Sequence, residues 1–182
     1  LRRAAQADAG LHAQLETIRA WQGGRLAATH ADLLAHARYS AAAHFFLEDL
    51  YAPKDITRRD EELSRVVPTL VRFLPDAALD TVADALELDA LSERLDNHLA
   101  HAWAGRPGEA MTEQAYAQAY RQAGTRPERE TQIVLMLKVG RSLDRLVRKP
   151  LIAGLLATMG PAARASGLGV IHDFLQRGFT AF

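Results

Sequence analysis

The sequence has 182 residues, 48% apolar and 24% charged, a balance typical of one globular domain. Its 22 basic residues equal its 22 acidic ones, which argues against a broad nucleic-acid-binding surface. There is no cysteine, so disulfides and thiolate chemistry are excluded. With no recognisable signal peptide either, this favours a cytoplasmic protein. The longest apolar run, 151–159, is far short of the ~20 residues that span a bilayer, so we expect no membrane segment.

Helical patterns dominate the chain. Alanine and leucine, which both favour helix, are abundant, and apolar residues recur at helical spacing. Alternating strand patterns and Asn-Gly or Asp-Gly hairpin signals are absent. We therefore predict an all-α, compact single-domain bundle of about seven to nine helices without a β-sheet, covering residues 1–182. The loop 105–110 is the best candidate for an internal boundary.

The first two helices are predicted at 8–36 and 41–51. A break is expected at Gly23-Gly24, because two glycines cost a helix about 2 kcal/mol relative to alanine. Ser40 is expected to cap the second helix, since its hydroxyl can accept from the first free amides.

The next helices are delimited by prolines and by a change of apolar phase. Residues 52–55 predict a turn, Thr57 starts a helix, and Pro68 should bend it. Pro75 opens the following helix. Its apolar stripe changes phase, so we expect a break at Leu88-Asp89. The two stripes are Leu79, Val82 and Leu86, then Leu91, Leu95, Leu99 and Ala102.

Caps, prolines and glycines also delimit the last four helices. Thr112 is expected to cap a short helix ending at Gly124, and Pro127 lies in the first turn of the next. Pro150 opens a helix that we expect to end at Gly160-Pro161. The four predicted helices cover 112–124, 127–147, 150–160 and 168–177.

The segment 45–51, Phe-Phe-Leu-Glu-Asp-Leu-Tyr, is the most distinctive part of the sequence. On a helix, one apolar stripe is formed by Ala43, Phe46, Leu47 and Leu50. Phe45 points away from this stripe, with Glu48 and Asp49 beside it. The segment therefore predicts large apolar groups on two opposite helix faces, with acids flanking one of them.

Three interpretations of this segment remain open. The helix can be a central one, packed on both sides, with its carboxylates paired to arginines. Alternatively, Phe45, Glu48 and Asp49 can form a recognition surface for a partner or ligand, as an exposed aromatic group beside acids would. A pair of catalytic carboxylates is the third interpretation, but nothing local separates their pKa values as acid–base catalysis requires.

A second informative segment surrounds Asp144. The residues expected to face inward there are Leu137, Gly140 and Val147, and Asp144 projects among them. A buried carboxylate needs partners, and Arg141 and Arg148 lie three before and four after it. We predict a structural ion network, in which Gly140 lets another helix approach closely. An anion site built from Arg141, Arg145, Arg148 and Lys149 is the alternative.

The seven histidines give only weak metal signals. His98 and His101 can share a helix face, but neither a Glu-x-x-His nor a His-Glu-x-x-His motif is present. A haem would leave little trace in sequence, and His44 would be the first candidate for its axial ligand. We predict no metal, no cofactor and no catalytic residue.

The segment 45–51, followed by Pro53, Asp55, Arg59 and Asp60, resembles the bacterial proteins known by their FFLEELY motif. Here Asp49 stands in place of the second Glu. The resemblance continues through residues 85–91, 140–147 and 174–179, so it covers most of the chain. It implies a bacterial, helical, single-domain protein and carries over no catalytic residue or cofactor.

The leading functional hypothesis is a non-enzymatic module that binds an unknown protein partner or a second copy of itself. Its rival is a bundle that holds a small ligand or cofactor, enzymatic or not, in a pocket near Glu48, Tyr51, Arg59 and Asp144. A third hypothesis joins the two motif helices through one polar network of Arg59, Asp60 and Asp144.

Overall fold

The computed structural model describes residues 8–50, 76–103 and 109–182. Within these ranges the chain forms eight α-helices and one π-helical segment and contains no strand, so the all-α prediction is confirmed there. The predictions at 52–75, including Thr57 and the bend at Pro68, lie outside the described residues.

Six of the described elements have ten residues or more. We label the α-helices α1 to α8 and the π-helical segment π1. Their bounds are α1 Ala9–Thr29, α2 Ala31–Ala35, α3 Ser40–Phe45, π1 Phe46–Leu50, α4 Asp76–Ala102, α5 Glu113–Gln122, α6 Arg126–Leu146, α7 Pro150–Ala165 and α8 Gly169–Ala181. No described helix combines the length and the apolar character that crossing a bilayer requires.

Two of the predicted helix breaks are wrong. The helix α1 runs unbroken through Gly23-Gly24, because Leu15 and Ile18 bury its face and packing outweighs the local cost of two glycines. The helix α4 likewise continues through Leu88-Asp89. The buried positions Asp84, Leu91 and Leu95 keep one helical phase across this point, whereas Leu86 of the first predicted stripe is exposed.

The expected end of α7 at Gly160-Pro161 is also wrong. Pro161 lies inside the helix, which continues to Ala165. A proline in this position removes one amide donor. The helical turn after Pro161 is stabilised by a hydrogen bond from the residues that follow α7, in which the amide of Leu168 donates to the carbonyl of Ala163 at 2.8 Å.

The local capping predictions around α5 and α7 are confirmed. The hydroxyl of Thr112 accepts from the amide of Ala115 at 3.2 Å. Gly124 follows α5 with a φ of 62°, a left-handed conformation that glycine adopts without a Cβ clash. Pro150 stands in the first turn of α7.

The predicted cap of α3 is wrong, because Tyr39, and not Ser40, occupies its N-cap position.

The contacts divide the chain into two units, one of Leu1–Thr29 with Asp84–Lys138 and one of His30–Ala83 with Val139–Phe182. The first unit has two groups of buried apolar residues. The larger group is Leu15, Ile18, Leu99, Ala100, Trp103, Met111, Tyr116 and Ala119. The smaller one is Leu91, Leu95 and Leu135, which packs α6 against α4.

In the second unit, α7 and α8 form a helical hairpin. The buried ring of His172 on α8 lies against Gly160 of α7, where a methyl group would be 3.3 Å from its Cε1. Its Nε2 donates to the carbonyl of Leu156 at 2.9 Å. At the same end of the hairpin, Arg164 binds Asp173 at 3.0 Å.

Candidate functional site

The motif segment does not form a uniform α-helix. The helix α3 ends at Phe45, and Phe46–Leu50 continue as π1. A π-turn is wider than an α-turn, is rare, and rotates the side chains that follow it relative to an α-helical wheel. Of the two adjacent phenylalanines, Phe46 has a side chain that is 42% exposed, whereas Phe45 is only 8% exposed.

Phe45 is packed against α8. Its ring centroid lies 5.4 Å from that of Phe174 and 6.4 Å from that of Phe182. The backbone of Gly178 lies directly against the ring, since a methyl group there would be 2.9 Å from Cζ of Phe45. Phe45 is thus a buried residue of the second unit, and we call this group of four residues the Phe45 cluster.

Asp49 of π1 adds a charged contact to the same helix. The Nη2 of Arg177 donates to its Oδ1 at 2.7 Å, and the Nε of Arg177 donates to the same oxygen at 3.2 Å. Such a two-donor contact fixes geometry more tightly than a single ion pair does. The motif segment is therefore joined to α8 by a ring contact at Phe45 and a fork contact at Asp49.

The remaining described acid of the motif lies on the surface. Glu48 is exposed, and its Oε1 is 3.2 Å from the Nδ1 of His44 one turn earlier. Phe46 touches the ring of Phe182 edge to face, with centroids 5.8 Å apart. Each of these groups contacts a neighbour of its own unit, as the interpretation of a packed helix with paired carboxylates expects.

The environment of Asp144 differs from the prediction. The side chain is exposed and binds the Nη2 of Arg148 at 2.8 Å. Arg141 is also exposed, and Leu137 faces outward. Around Gly140, no described atom lies within 4 Å of where a Cβ would be, so no helix approaches there. The reason is that Leu135 and not Leu137 faces the core.

Three of the candidate residues, Tyr51, Arg59 and Asp60, lie outside the described residues. The network that would join Arg59 and Asp60 to Asp144 stays a prediction. Among the described histidines, His98 and His101 are both exposed, and no group of potential metal ligands is found in the described ranges.

A buried polar cluster in the first unit was not predicted. Arg19 of α1 donates to Glu93 at 2.7 Å and to Asp96 at 3.4 Å, both on α4. Asn97 donates to the carbonyl of Glu93 at 2.7 Å and lies 3.3 Å from its Oε1. Buried acids are tolerated only with such partners, so the cluster fixes α1 against α4 in one register.

Arg129 of α6 extends this cluster. Its two terminal nitrogens donate to Gln132 and to the carbonyl of Leu95, and its guanidinium lies 5.1 Å from the ring of Tyr120. Its Nε is buried without a hydrogen-bond partner among the described residues. Burial raises the pKa of Asp96, although Arg19 and then Arg129 oppose this by their positive charge.

One sequence signal could have revealed the cluster. Glu93 and Asn97 are four apart and alternate with the apolar stripe of Leu91, Leu95 and Leu99. Polar residues on a face next to such a stripe indicate a helix covered on more than one side. The sequence does not indicate which arginine pairs with these residues, because Arg19 is 74 positions from Glu93.

An exposed apolar surface lies on α6. Its members, which we call the α6 face, are Ile133, Val134, Met136 and Leu137, with exposed fractions of 57%, 64%, 44% and 54%. Around the helix, Ile133 and Leu137 lie in the middle, and Val134 and Met136 lie at the two edges, so the four residues span one broad side. The remaining residue of this stretch, Leu135, is buried on the opposite side.

A comparison with protein families matched the chain over residues 1–182 to a family described as Domain of unknown function (DUF8198). The chain belongs to this family. Comparisons with curated proteins and with solved structures found no match. Membership in DUF8198 therefore brings no activity, ligand or partner with it, and the resemblance to FFLEELY-motif proteins stays a prediction.

For this DUF8198 member, the described geometry divides the candidate residues into two kinds. Asp49, Glu48 and Asp144 each face a basic or histidine side chain of their own unit, an arrangement that stabilises helices. The α6 face instead presents large apolar side chains to solvent, and surfaces of that kind mark contacts with other molecules.

Proposed function

We propose that this protein is an interaction module that binds an amphipathic helix of a protein through the α6 face. The observation that carries the proposal is the outward exposure of four large apolar side chains on one side of a 21-residue helix. Soluble proteins tolerate single exposed apolar residues, but a contiguous group marks a contact surface.

The energetic argument uses the exposed fractions. Full burial of a Val, Leu, Ile or Met side chain contributes about 1.5–3 kcal/mol. About half of each α6-face side chain is exposed, so covering the face gains roughly 1 kcal/mol per residue before association costs. Covering the α6 face therefore supplies a part of the free energy that association requires, and other contacts of the interface supply the rest.

The shape of the surface favours a helical occupant. Ile133 and Leu137 are four apart and form a ridge along α6, and Gly140, three positions later, leaves the next turn of this side without a side chain. A second helix packs such a ridge into its own groove, using side chains spaced by three and four.

The charges around the α6 face favour a protein over a nucleic acid or a membrane surface. Arg126 and Glu130 lie before the face, and after it Asp144 lies among Arg141, Arg145, Arg148 and Lys149, so an acidic residue accompanies the basic ones at each end. A nucleic-acid or anionic lipid surface would be met by basic groups alone. Mixed charges suit the mixed rim of a protein interface.

Site-specific photo-crosslinking tests the proposal. A benzophenone amino acid is placed at Val134 of the full chain in cells of the source organism, and another at Gln118, an exposed polar position on α5. We expect a covalent protein adduct from position 134 and none from position 118. Adduct formation at 134 that does not exceed that at 118 would overturn the proposal.

The rival hypothesis of a small-ligand pocket stays a prediction, because two of its four residues, Tyr51 and Arg59, lie outside the described residues. Native mass spectrometry and a visible absorbance spectrum of the purified chain would detect a retained ligand or haem.

A further inference from the structure

The α6 face is bounded at each end by a basic residue that is followed by an acidic one. Before the face, Arg126 is followed four positions later by Glu130. After the face, Arg141 is followed by Asp144, three positions later. Along the helix the signs read plus, minus, apolar centre, plus, minus. A helix with this pattern is complementary to itself when one copy is turned end for end.

We propose that the helix bound by the α6 face is α6 of a second copy of this chain, packed antiparallel. This inference rests on the proposed function and names its partner. The two-fold axis passes between the two helices, level with the midpoint between positions 135 and 136. Val134 of one copy then faces Leu137 of the second copy. The same register places Glu130 opposite Arg141 of the second copy.

The charges select the antiparallel orientation. In this register Arg126 is level with Arg145 of the second copy, one position beyond Asp144, so the opposite-sign contact at each end is the one between Glu130 and Arg141. A parallel pair would place Glu130 against Glu130 and Arg141 against Arg141, and like charges across an interface oppose association. Because a two-fold contact is isologous, each favourable pair occurs twice.

The groups required for the contact are accessible. Arg126 and Glu130 form an exposed pair within the helix, and so do Asp144 and Arg148. Exposed pairs of this kind contribute little to stability, so their side chains can exchange partners on association. Gly140 has open space where a side chain would be, which lets the backbone of a second helix come close.

Sedimentation equilibrium of the full chain across a concentration series tests the proposal. The native sequence should follow a monomer–dimer equilibrium. Leu137→Asp should weaken the dimer roughly a hundredfold or more, because the two-fold contact then contains two buried aspartates near its centre. Its circular dichroism should match that of the native sequence, since Leu137 is 54% exposed and outside the described core clusters.

A matched control and a charge exchange make the test specific to this surface and orientation. Leu151→Asp alters a more exposed leucine, on α7, and should leave the dimer constant unchanged. Glu130→Arg and Arg141→Glu should each weaken the dimer roughly tenfold, by replacing two attractive contacts with repulsive ones. The double variant should restore the native dimer constant.

A purely monomeric native chain would overturn the proposal. So would a dimer that Leu137→Asp leaves intact, or a Glu130→Arg/Arg141→Glu double variant whose dimer is as weak as those of the single variants. The photo-crosslinking adducts separate these failures from failure of the proposed function. An adduct at Val134 to a different protein, with a monomeric chain, keeps the interaction module and rejects the second copy. Absence of any adduct rejects both.

Discussion

Gly178 is the residue where the backbone of α8 lies directly against the ring of Phe45. Its replacement by alanine would place a methyl group 2.9 Å from Cζ of Phe45, inside the ordinary contact distance. The ring, itself bounded by Phe174 and Phe182, would have to shift. We expect Gly178→Ala to lower the free energy of unfolding by about 1–3 kcal/mol in urea denaturation, the usual cost of overpacking.

Gly154→Ala provides the matched control on α7. No described atom lies within 4 Å of the added methyl group, so only helix propensity should act and stability should rise by up to ~1 kcal/mol. Equal effects of the two substitutions would show that the Phe45 cluster is not tightly packed.

Asp96 should give the stability a distinctive pH dependence. Burial raises the pKa of its carboxyl group, so the folded protein holds this proton to a higher pH than the unfolded chain does. As the pH rises from the ordinary aspartate range through the raised pKa, this group lowers the free energy of unfolding. Asp96→Asn removes the effect, although it also weakens the contact with Arg19.

The difference in unfolding free energy, Asp96→Asn minus native, should therefore increase with pH above about 4. Urea denaturation of both proteins between about pH 3.5 and 7 measures it. A difference that stays constant, or one that decreases with pH, contradicts the assigned effect of burial.

In α1, two adjacent glycines lie within a continuous helix. Neither Gly23 nor Gly24 has a described atom within 4 Å of a would-be Cβ, and both have helical conformations. Replacing each by alanine should raise the free energy of unfolding by about 1 kcal/mol, because alanine loses less backbone entropy on folding. Chemical denaturation of the two single variants measures this gain. Destabilisation by either variant would mean that α1 bends there in solution.

The element boundaries that could be predicted are those set by local chemistry. Thr112 caps α5, Gly124 ends it with a positive φ, and Pro150 opens α7, each through atoms within a few positions of itself. The continuity of α4 and the passage of α7 through Pro161 depend on what packs against these helices. Local sequence does not contain that information.

The inward side of a helix was harder to predict than its existence. In the motif segment and in α6, apolar residues cover more than one face, so periodicity defines the stripes without saying which is buried. Leu137 was expected inside and is exposed, while Phe45 and Leu135 are buried. The Arg177–Asp49 contact spans 128 positions and leaves no local signal at all.

For the whole molecule, the proposed dimer links thermal stability to protein concentration. A partner that binds only the folded chain stabilises it by mass action. Above the dissociation constant of the dimer, each tenfold rise in concentration should raise the Tm by roughly 2 °C for a chain of this size. Differential scanning calorimetry of the native chain and Leu137→Asp at several concentrations should show this dependence in the native chain alone.

The Phe45 cluster also determines when the second unit can complete its packing during synthesis. Phe45 leaves the ribosome long before Phe174, Gly178 and Phe182 exist. At translation rates of about 5–20 residues per second, the ring waits on the order of ten seconds for its partners. During that interval the two adjacent phenylalanines are accessible to chaperones and are exposed apolar surface through which the nascent chain can aggregate.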